Sequence, residues 1–518
     1  MREVKVAGCL AGAVTGGLRC RTHRGLLTVF RTSRETFLKA SPPIPLATVL
    51  PLPSCSTFEL YQRLAGDGRC PVLLESGQGP GGVAPGQRYS IIGADPALLF
   101  RGTGSHVGWC ARGEEWIIRA GDPLAALRDL LTRMAVPRPS EFPPFYGGAV
   151  GYFGYDVARW FERLPHPPPD DLGLPDLELA FLDLVAVVDH HQKELWLIFC
   201  PFGERFIKES REELYEEGQA RLLALETRLT RLRPVLPDTN HQVVPHVTPG
   251  MSEADYTDRV RRCLDYIAAG DTYQANLSHR FAVGLGGRSP RSIYRRLREI
   301  NPAPFAALLE LPDVTLVSCS PERLVRISGI EAETRPIAGT RPRGASTDED
   351  RLLIEDLLMS PKERAEHIML VDLERNDLGR VCTFGSVRVD EFMVIERYSH
   401  VSHIVTNIRG RLAPGKDALD VLRAVFPGGT VTGVPKVRCM EIIDELEPVR
   451  RGPYTGSIGY LSPSGDLDLN IIIRTLVIAG ERAYLQVGAG IVADSDPARE
   501  YQETLYKAEA LLKALRES

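Results

Sequence analysis

The chain has 518 residues, 43% of them hydrophobic and 25% charged, with 62 Lys+Arg against 67 Asp+Glu for a formal charge of -5. That length can bury a large core and, at roughly 150 residues per domain, allows about two to four domains. The near balance of charge excludes a chain whose main partner is nucleic acid or an anionic membrane. Residues 1–45 read as a basic N-terminal extension outside the fold, with eight Lys/Arg against two Glu in the first 40 residues. Its start, MREVKV followed by AGCLAGAVTGGL, imitates a secretory signal, but that run is broken by glycine and followed by the basic RCRTHR instead of a cleavage site. From Leu46 to about Cys200, short apolar runs between Gly/Pro turns (PVLLES, RYSIIGAD, FLDLVAVVDHH, ELWLIFC) predict strands, with one helix near Asp122 to Met134. Residues 203–233 are charged and helical in period, and end an N-terminal region spanning 46–235. The polar, Pro-containing stretch 236–250 is the linker to a C-terminal region, 251–518. That region opens at Ser252, with Asp255 three residues on, as a capped helix running to Gly270, and closes on a helix ending near Leu515. No apolar run approaches the 18 residues of a membrane span. Ten cysteines without a CxxC pair suggest neither a zinc site nor a disulfide framework, and point to a reducing, cytoplasmic setting.

Two glycine-rich segments imitate nucleotide motifs and fail on chemistry. Gly428 to Gly433 has the gap of a phosphate loop, but Val434-Pro435-Lys436 follows where Gly-Lys-Ser/Thr is required. VGAGIVA, from Val487 to Ala493, follows a strand, yet the next helix opens only after Asp496-Pro497, too late to place its N-terminus under a pyrophosphate. The carboxylates say more. Glu363 and Glu366 lie three apart on one face of a helix starting at Ser360-Pro361; Glu500 and Glu503 repeat that spacing in the last helix, with Lys507 on the same face. Each pair alone reads as a cap or a dipole complement. Together they suggest a hard oxygen-ligand site of the magnesium type, one that keeps waters and binds a carboxylate substrate. His400 and His403 sit in a strand-like context where a core histidine is the ordinary reading. Arg474, inside LNIIIRTLVI, must be paired or grip an anion, because a buried guanidinium is otherwise costly.

Long segments in this order resemble the chorismate-utilising enzymes, in particular component I of anthranilate synthase and of aminodeoxychorismate synthase. They include FYGGAVGYFGYD (145–156), GDTYQANLS (270–278), SPERLV (320–325), RPIAGTRPRG (335–344), KERAEHIMLVDLERNDLGRV (362–381), FPGGTVTGVPKVR (426–438), GAGIVADSDP (488–497) and EYQET (500–504). The resemblance covers 46–515 and implies an α+β fold, two large antiparallel sheets packed together and surrounded by helices, with the active site after the linker. It implies that Mg2+ bridges Glu366 and Glu500 to the ring carboxylate of chorismate, with Glu363 and Glu503 beside them through water. Glu322 and His403 match positions assigned to acid/base work at the departing hydroxyl. Tyr454, Arg474, Gly488 and Lys507 match the group holding the enolpyruvyl carboxylate, and Thr340 lies at the ring. Gln274 stands where salicylate and isochorismate synthases have a water-activating Lys, so ammonia is the expected nucleophile. Ala338 in PIAGT replaces the Lys that adds to the ring in many aminodeoxychorismate synthases, and alone is the anthranilate-type residue. QANLS, SPERL and GSIGYLS lean to aminodeoxychorismate synthase component I, serving 4-aminobenzoate and folate synthesis, with anthranilate synthase component I the alternative. No Gly-x-Cys-x-Gly nucleophile context exists, so ammonia is expected from a separate glutamine amidotransferase component II. Leu74, Glu75 and Ser76 resemble the part of the tryptophan-binding region of this family, whose other reading is ordinary core strand.

Overall fold

The structure is a computed structural model that describes residues 19–21, 27–76, 78–79, 82–83, 88–230, 246–398 and 401–518. His400, most of the expected linker and most of the basic leader lie outside the described residues.

Two twelve-stranded antiparallel sheets form the body, as the resemblance implied. Neither sheet belongs to one half of the chain. In the first, Gly148–Phe153 is hydrogen-bonded between Leu177–Leu182 and Ser457–Leu461. In the second, Val72–Glu75 lies between Tyr89–Gly93 and Phe305–Glu310. The regions before and after residue 250 are thus laced through both sheets.

Strand residues alternate between faces, and both faces are covered, so the central strands are apolar on both sides. In Leu177–Leu182, Ala180 and Leu182 join the large core between the sheets, with Val72, Ile91, Leu308 and Val317 from the opposite sheet. Leu177, Leu179 and Phe181 join a second core under the helices Pro123–Arg133 and Ala418–Val425. A smaller core packs Glu253–Ala269 and Lys436–Leu446 on the outer face of the second sheet.

The helix signals hold. Ser252 and Asp255 form the reciprocal cap, and the helix stops at Gly270, whose φ of 83° suits a residue without Cβ. The expected 203–233 helix is two, Gly203–Lys208 and Arg211–Leu229, because Ser210 caps a fresh start with Glu213. At Ser360 the hydroxyl caps Glu363, but Glu363 turns its carboxylate to Arg341. Ahead of Leu46, where the N-terminal region is expected to begin, stands one short helix. Helix Arg34–Lys39 buries Phe37 completely against Phe206 and Tyr215, since an aromatic on so basic a stretch still gains most by leaving water. Among the described residues, no helix is long and apolar enough to cross a membrane.

Candidate active site

The candidate residues gather where the end of the second sheet meets the end of the first. On the second sheet, Gln274–Gly284 pairs with Arg482–Ile491. Gln274 and Asn276 lie two apart, hence on one strand face, above Gly488 and Gly490. A Cβ at Gly488 would stand 2.6 Å from Asn276 Oδ1 and 3.0 Å from the Tyr454 hydroxyl, and one at Gly490 would stand 2.6 Å from Gln274 Nε2. The missing Cβ atoms let the Asn276, Tyr454 and Gln274 side chains close onto the backbone and line a trough. Gln274 Oε1 and Asn276 Oδ1 are buried there without hydrogen-bond partners among the described residues.

The cationic end of the trough is built by Arg474 and Lys507. Lys507 Nζ donates to Gly488 O at 2.9 Å and meets Glu503 at 2.7 Å. Arg474 takes a left-handed backbone, φ 52°, and donates to Lys507 O at 2.8 Å. Burial lowers its pKa, with Tyr454 and Glu503 opposing. No carboxylate ion pair to Arg474 occurs among the described residues. A buried guanidinium left that way, on a strained backbone, is arranged for an anion. Behind it, Arg451 is held by Glu447 at 2.6 Å and stacks on Tyr454, 5.6 Å from the ring centre.

On the first sheet Thr340 and His403 are register partners, with Thr340 Oγ1 2.9 Å from His403 Nδ1. Burial depresses the His403 pKa to about 4, so the ring is neutral at pH 7. Arg474 adds a little to that depression. Glu322 is buried, one oxygen without a partner, and burial raises it to about 7 against the Thr430 hydroxyl and the Ile337 N–H. It is thus a carboxyl that keeps its proton near neutrality.

Helices Pro361–Gly379 and Pro497–Glu517 supply the carboxylates. Glu366 accepts from Gln274 Nε2 at 2.9 Å, and Glu500 from Ser495 at 2.7 Å. Burial raises both, and Glu363 and Glu503 add to the rise at Glu366 while Glu503 does so at Glu500. Lys362 opposes the rise at both, so the four glutamates and Lys362 share one electrostatic neighbourhood. Among the described residues no three His, Cys, Asp or Glu side chains converge tightly enough to hold an ion unaided. The donor set nevertheless fits magnesium: it is all oxygen, partly buried and mutually repelling, and that ion takes one or two carboxylates plus waters and substrate oxygens.

Leu74, Glu75 and Ser76 stand elsewhere. They line a small cavity between the sheets with Tyr89, Phe305 and Tyr460. Glu75 is bonded to Arg298 at 2.6 Å and to the Tyr294 hydroxyl at 2.8 Å, and Ser76 donates to Tyr89 O. The glycine loop at 428–433 is a short turn whose following Lys436 goes to Asp377 at 2.6 Å. Asn276, Lys362 and the Glu447–Arg451 pair were missed in the sequence. Asn276 had a signal in its spacing from Gln274, whereas the pair lies past the end of helix Lys436–Leu446 and had none.

A profile of the chorismate binding enzyme family matches residues 83–513. The chain is 45% identical over 477 residues to the aminodeoxychorismate synthase component 1 of Bacillus subtilis, covering 91% of this chain and 97% of that one. It is 46% identical over 459 residues to the anthranilate synthase component 1 of Thermus thermophilus, covering 88% and 94%. The fold superposes on anthranilate synthase component I from Streptococcus pneumoniae with TM-score 0.73, 33% identity and 89% and 99% coverage. The menaquinone-specific isochorismate synthase of Escherichia coli shares the fold at TM-score 0.67 and 19% identity.

Proposed function

The chain belongs to the chorismate binding enzyme family, and from that membership we propose that it is component 1 of an aminodeoxychorismate synthase, exchanging the ring hydroxyl of chorismate for ammonia. The observation that carries this reading is the near end-to-end likeness to the Bacillus subtilis component 1, which accompanies the QANLS, SPERL and GSIGYLS segments. Gln274 supports amination over hydration, because a neutral amide bonded to Glu366 cannot take a proton from water as an amine can.

The residues divide the work by charge. Arg474, Lys507, Tyr454 and the bare backbone at Gly488 hold the enolpyruvyl carboxylate. Glu322 gives its proton to the departing hydroxyl, which leaves as water with the C–O electrons. The new C–N bond forms from ammonia, whose surplus proton restores the acid. His403, neutral and fixed by Thr340, orients the leaving oxygen. Glu366 and Glu500 would hold magnesium, with Glu363 and Glu503 behind them, and the ion when bound neutralises the ring carboxylate. A separate glutamine amidotransferase supplies ammonia in the cytoplasm, and the cavity at Leu74, Glu75 and Ser76 takes tryptophan.

A second reading, anthranilate synthase component 1, is favoured by Ala338, buried on strand Ile337–Pro342 where no amine is available to add to the ring, and by the Thermus thermophilus likeness. The test is incubation with chorismate, Mg2+ and ammonium, with and without an aminodeoxychorismate lyase. 4-Aminobenzoate forming only with the lyase is the expected result; fluorescent anthranilate without it overturns the reading. Glu500→Ala should abolish turnover while leaving the fold intact, and near-normal activity in that variant would refute the magnesium assignment.

A further inference from the structure

Past the end of helix Lys436–Leu446 the chain runs through Glu447 and Arg451 before strand Ser457–Leu461 begins. The Arg451 side chain is 1% exposed and that of Glu447 3%. A guanidinium carries five N–H donors, and at Arg451 each has an acceptor within the chain. Nε and Nη2 form a fork on Glu447, at 3.0 and 2.6 Å. Nη2 also donates to Asn276 O at 2.6 Å, and Nη1 donates to Val431 O at 2.9 Å and to Thr455 Oγ1 at 3.2 Å. Glu447 is equally engaged, because its Oε1 also accepts from Ser278 N at 2.9 Å and from Ser278 Oγ at 2.8 Å.

Arg451 therefore differs from Arg474: it has no N–H left to offer an anion. Nor does stability alone call for it, since an apolar pair of similar volume holds a fold as well as a buried ion pair or better. A fully bonded buried network fixes geometry instead. What it fixes follows from its partners. Asn276 and Ser278 lie on strand Gln274–Gly284, and Val431 ends the turn Gly429–Val431. Thr455 takes a left-handed backbone, φ 59°, which is costly for a β-branched residue. It is held there by Arg451 at its hydroxyl and by Ile472 O at its N–H, 2.8 Å away. Its neighbour Tyr454 donates its N–H to Arg451 O at 3.2 Å, and the Tyr454 ring centre lies 5.6 Å from the Arg451 guanidinium. Tyr155 packs on the same guanidinium at 4.9 Å. The Tyr454 hydroxyl reaches the trough, 3.0 Å from where a Gly488 Cβ would stand.

We infer that Arg451, locked by Glu447, is a positioning residue for chorismate: it ties the backbone and ring of Tyr454 to the strand that carries Gln274, and so sets the Tyr454 hydroxyl at Gly488, where the enolpyruvyl carboxylate binds. This rests on the reading of Tyr454 as a group that holds the substrate. Arg451 acts through Tyr454 and does not touch the substrate itself.

The experiment measures kcat and KM for chorismate, with Mg2+ and ammonium, in the full chain and in Arg451→Lys, the paired change Glu447→Leu with Arg451→Met, Tyr454→Phe, and Tyr454→Phe added to the paired change. Lysine keeps the charge and loses the fork, while the paired change removes both charges together and strands no carboxylate. In both, KM rises roughly tenfold, as for the loss of one hydrogen bond to a charged group, and kcat stays within about twofold. A mere loosening of the fold lowers the active fraction, and with it kcat, without moving KM. Tyr454→Phe raises KM by a similar factor, and the paired change added to it brings no further rise. Should the paired change fail to fold, Arg451→Lys alone and with Tyr454→Phe gives the same comparison. A wild-type KM in a folded Arg451 variant, or KM increases that multiply when combined with Tyr454→Phe, overturns the positioning role alone. A wild-type KM in Tyr454→Phe instead overturns the reading of Tyr454 on which that role depends.

Discussion

Arg474 shows how much a single residue can disclose. Its place in an apolar strand required a partner or an anion, and the structure gives it a carbonyl, a strained backbone and no ion pair among the described residues. Glu322 was legible only through its segment, since nothing in SPERL says that the carboxyl is buried enough to stay protonated near pH 7. Glu178 was not legible at all. It sits on the core-facing side of Leu177–Leu182, both oxygens without partners, raised to about 8 by burial and by Asp313 against Arg101. Below its ordinary value of 4.5 the carboxyl is protonated in both folded and unfolded chains. As pH rises from there towards 8, the unfolded chain releases a proton that the folded one retains, so stability is lost progressively, by at most about 5 kcal/mol. Glu178→Gln should therefore raise the denaturant midpoint at pH 8.5 and leave it unchanged at pH 4. Equal midpoints at pH 8.5 would show that Glu178 is not the buried acid described.

At the scale of elements, caps and periods were readable because they are local. Ser252, Ser210 and Asp496 each start a helix where their side chains accept backbone N–H groups. The pairing of strands was not readable, because a register such as Ser278 opposite Gly488 joins segments some 200 residues apart. That register is what makes the trough. Gly488→Ala would press a methyl to 2.6 Å from Asn276 Oδ1 and 2.7 Å from Leu277 O, forcing two paired strands apart. Such overpacking costs about 1–3 kcal/mol of stability. The variant should unfold at lower denaturant and show a raised KM for chorismate; a wild-type KM would mean that the carboxylate does not lie on this backbone.

For the whole molecule, length allowed two to four domains, the resemblance implied a single compact unit, and both sheets take strands from both sides of residue 250. The first sheet presents Thr340 and His403, the second presents Gln274 and Gly488, and Glu322 lies in the link between strands Thr315–Ser320 and Arg323–Ser328 that passes from the second sheet to the first. Folding the chain as one unit therefore completes the site. Composition could not reveal this, because it is blind to which strands pair, and the burial of Phe37 was hidden under the positive charge around it. The central claim is that ammonia replaces the ring hydroxyl while the enolpyruvyl group stays on the ring. Its most direct test is the amount of pyruvate released per chorismate consumed by the chain with Mg2+ and ammonium, in the absence of any lyase. Chorismate consumed without pyruvate is the predicted result, and one pyruvate per chorismate would contradict it.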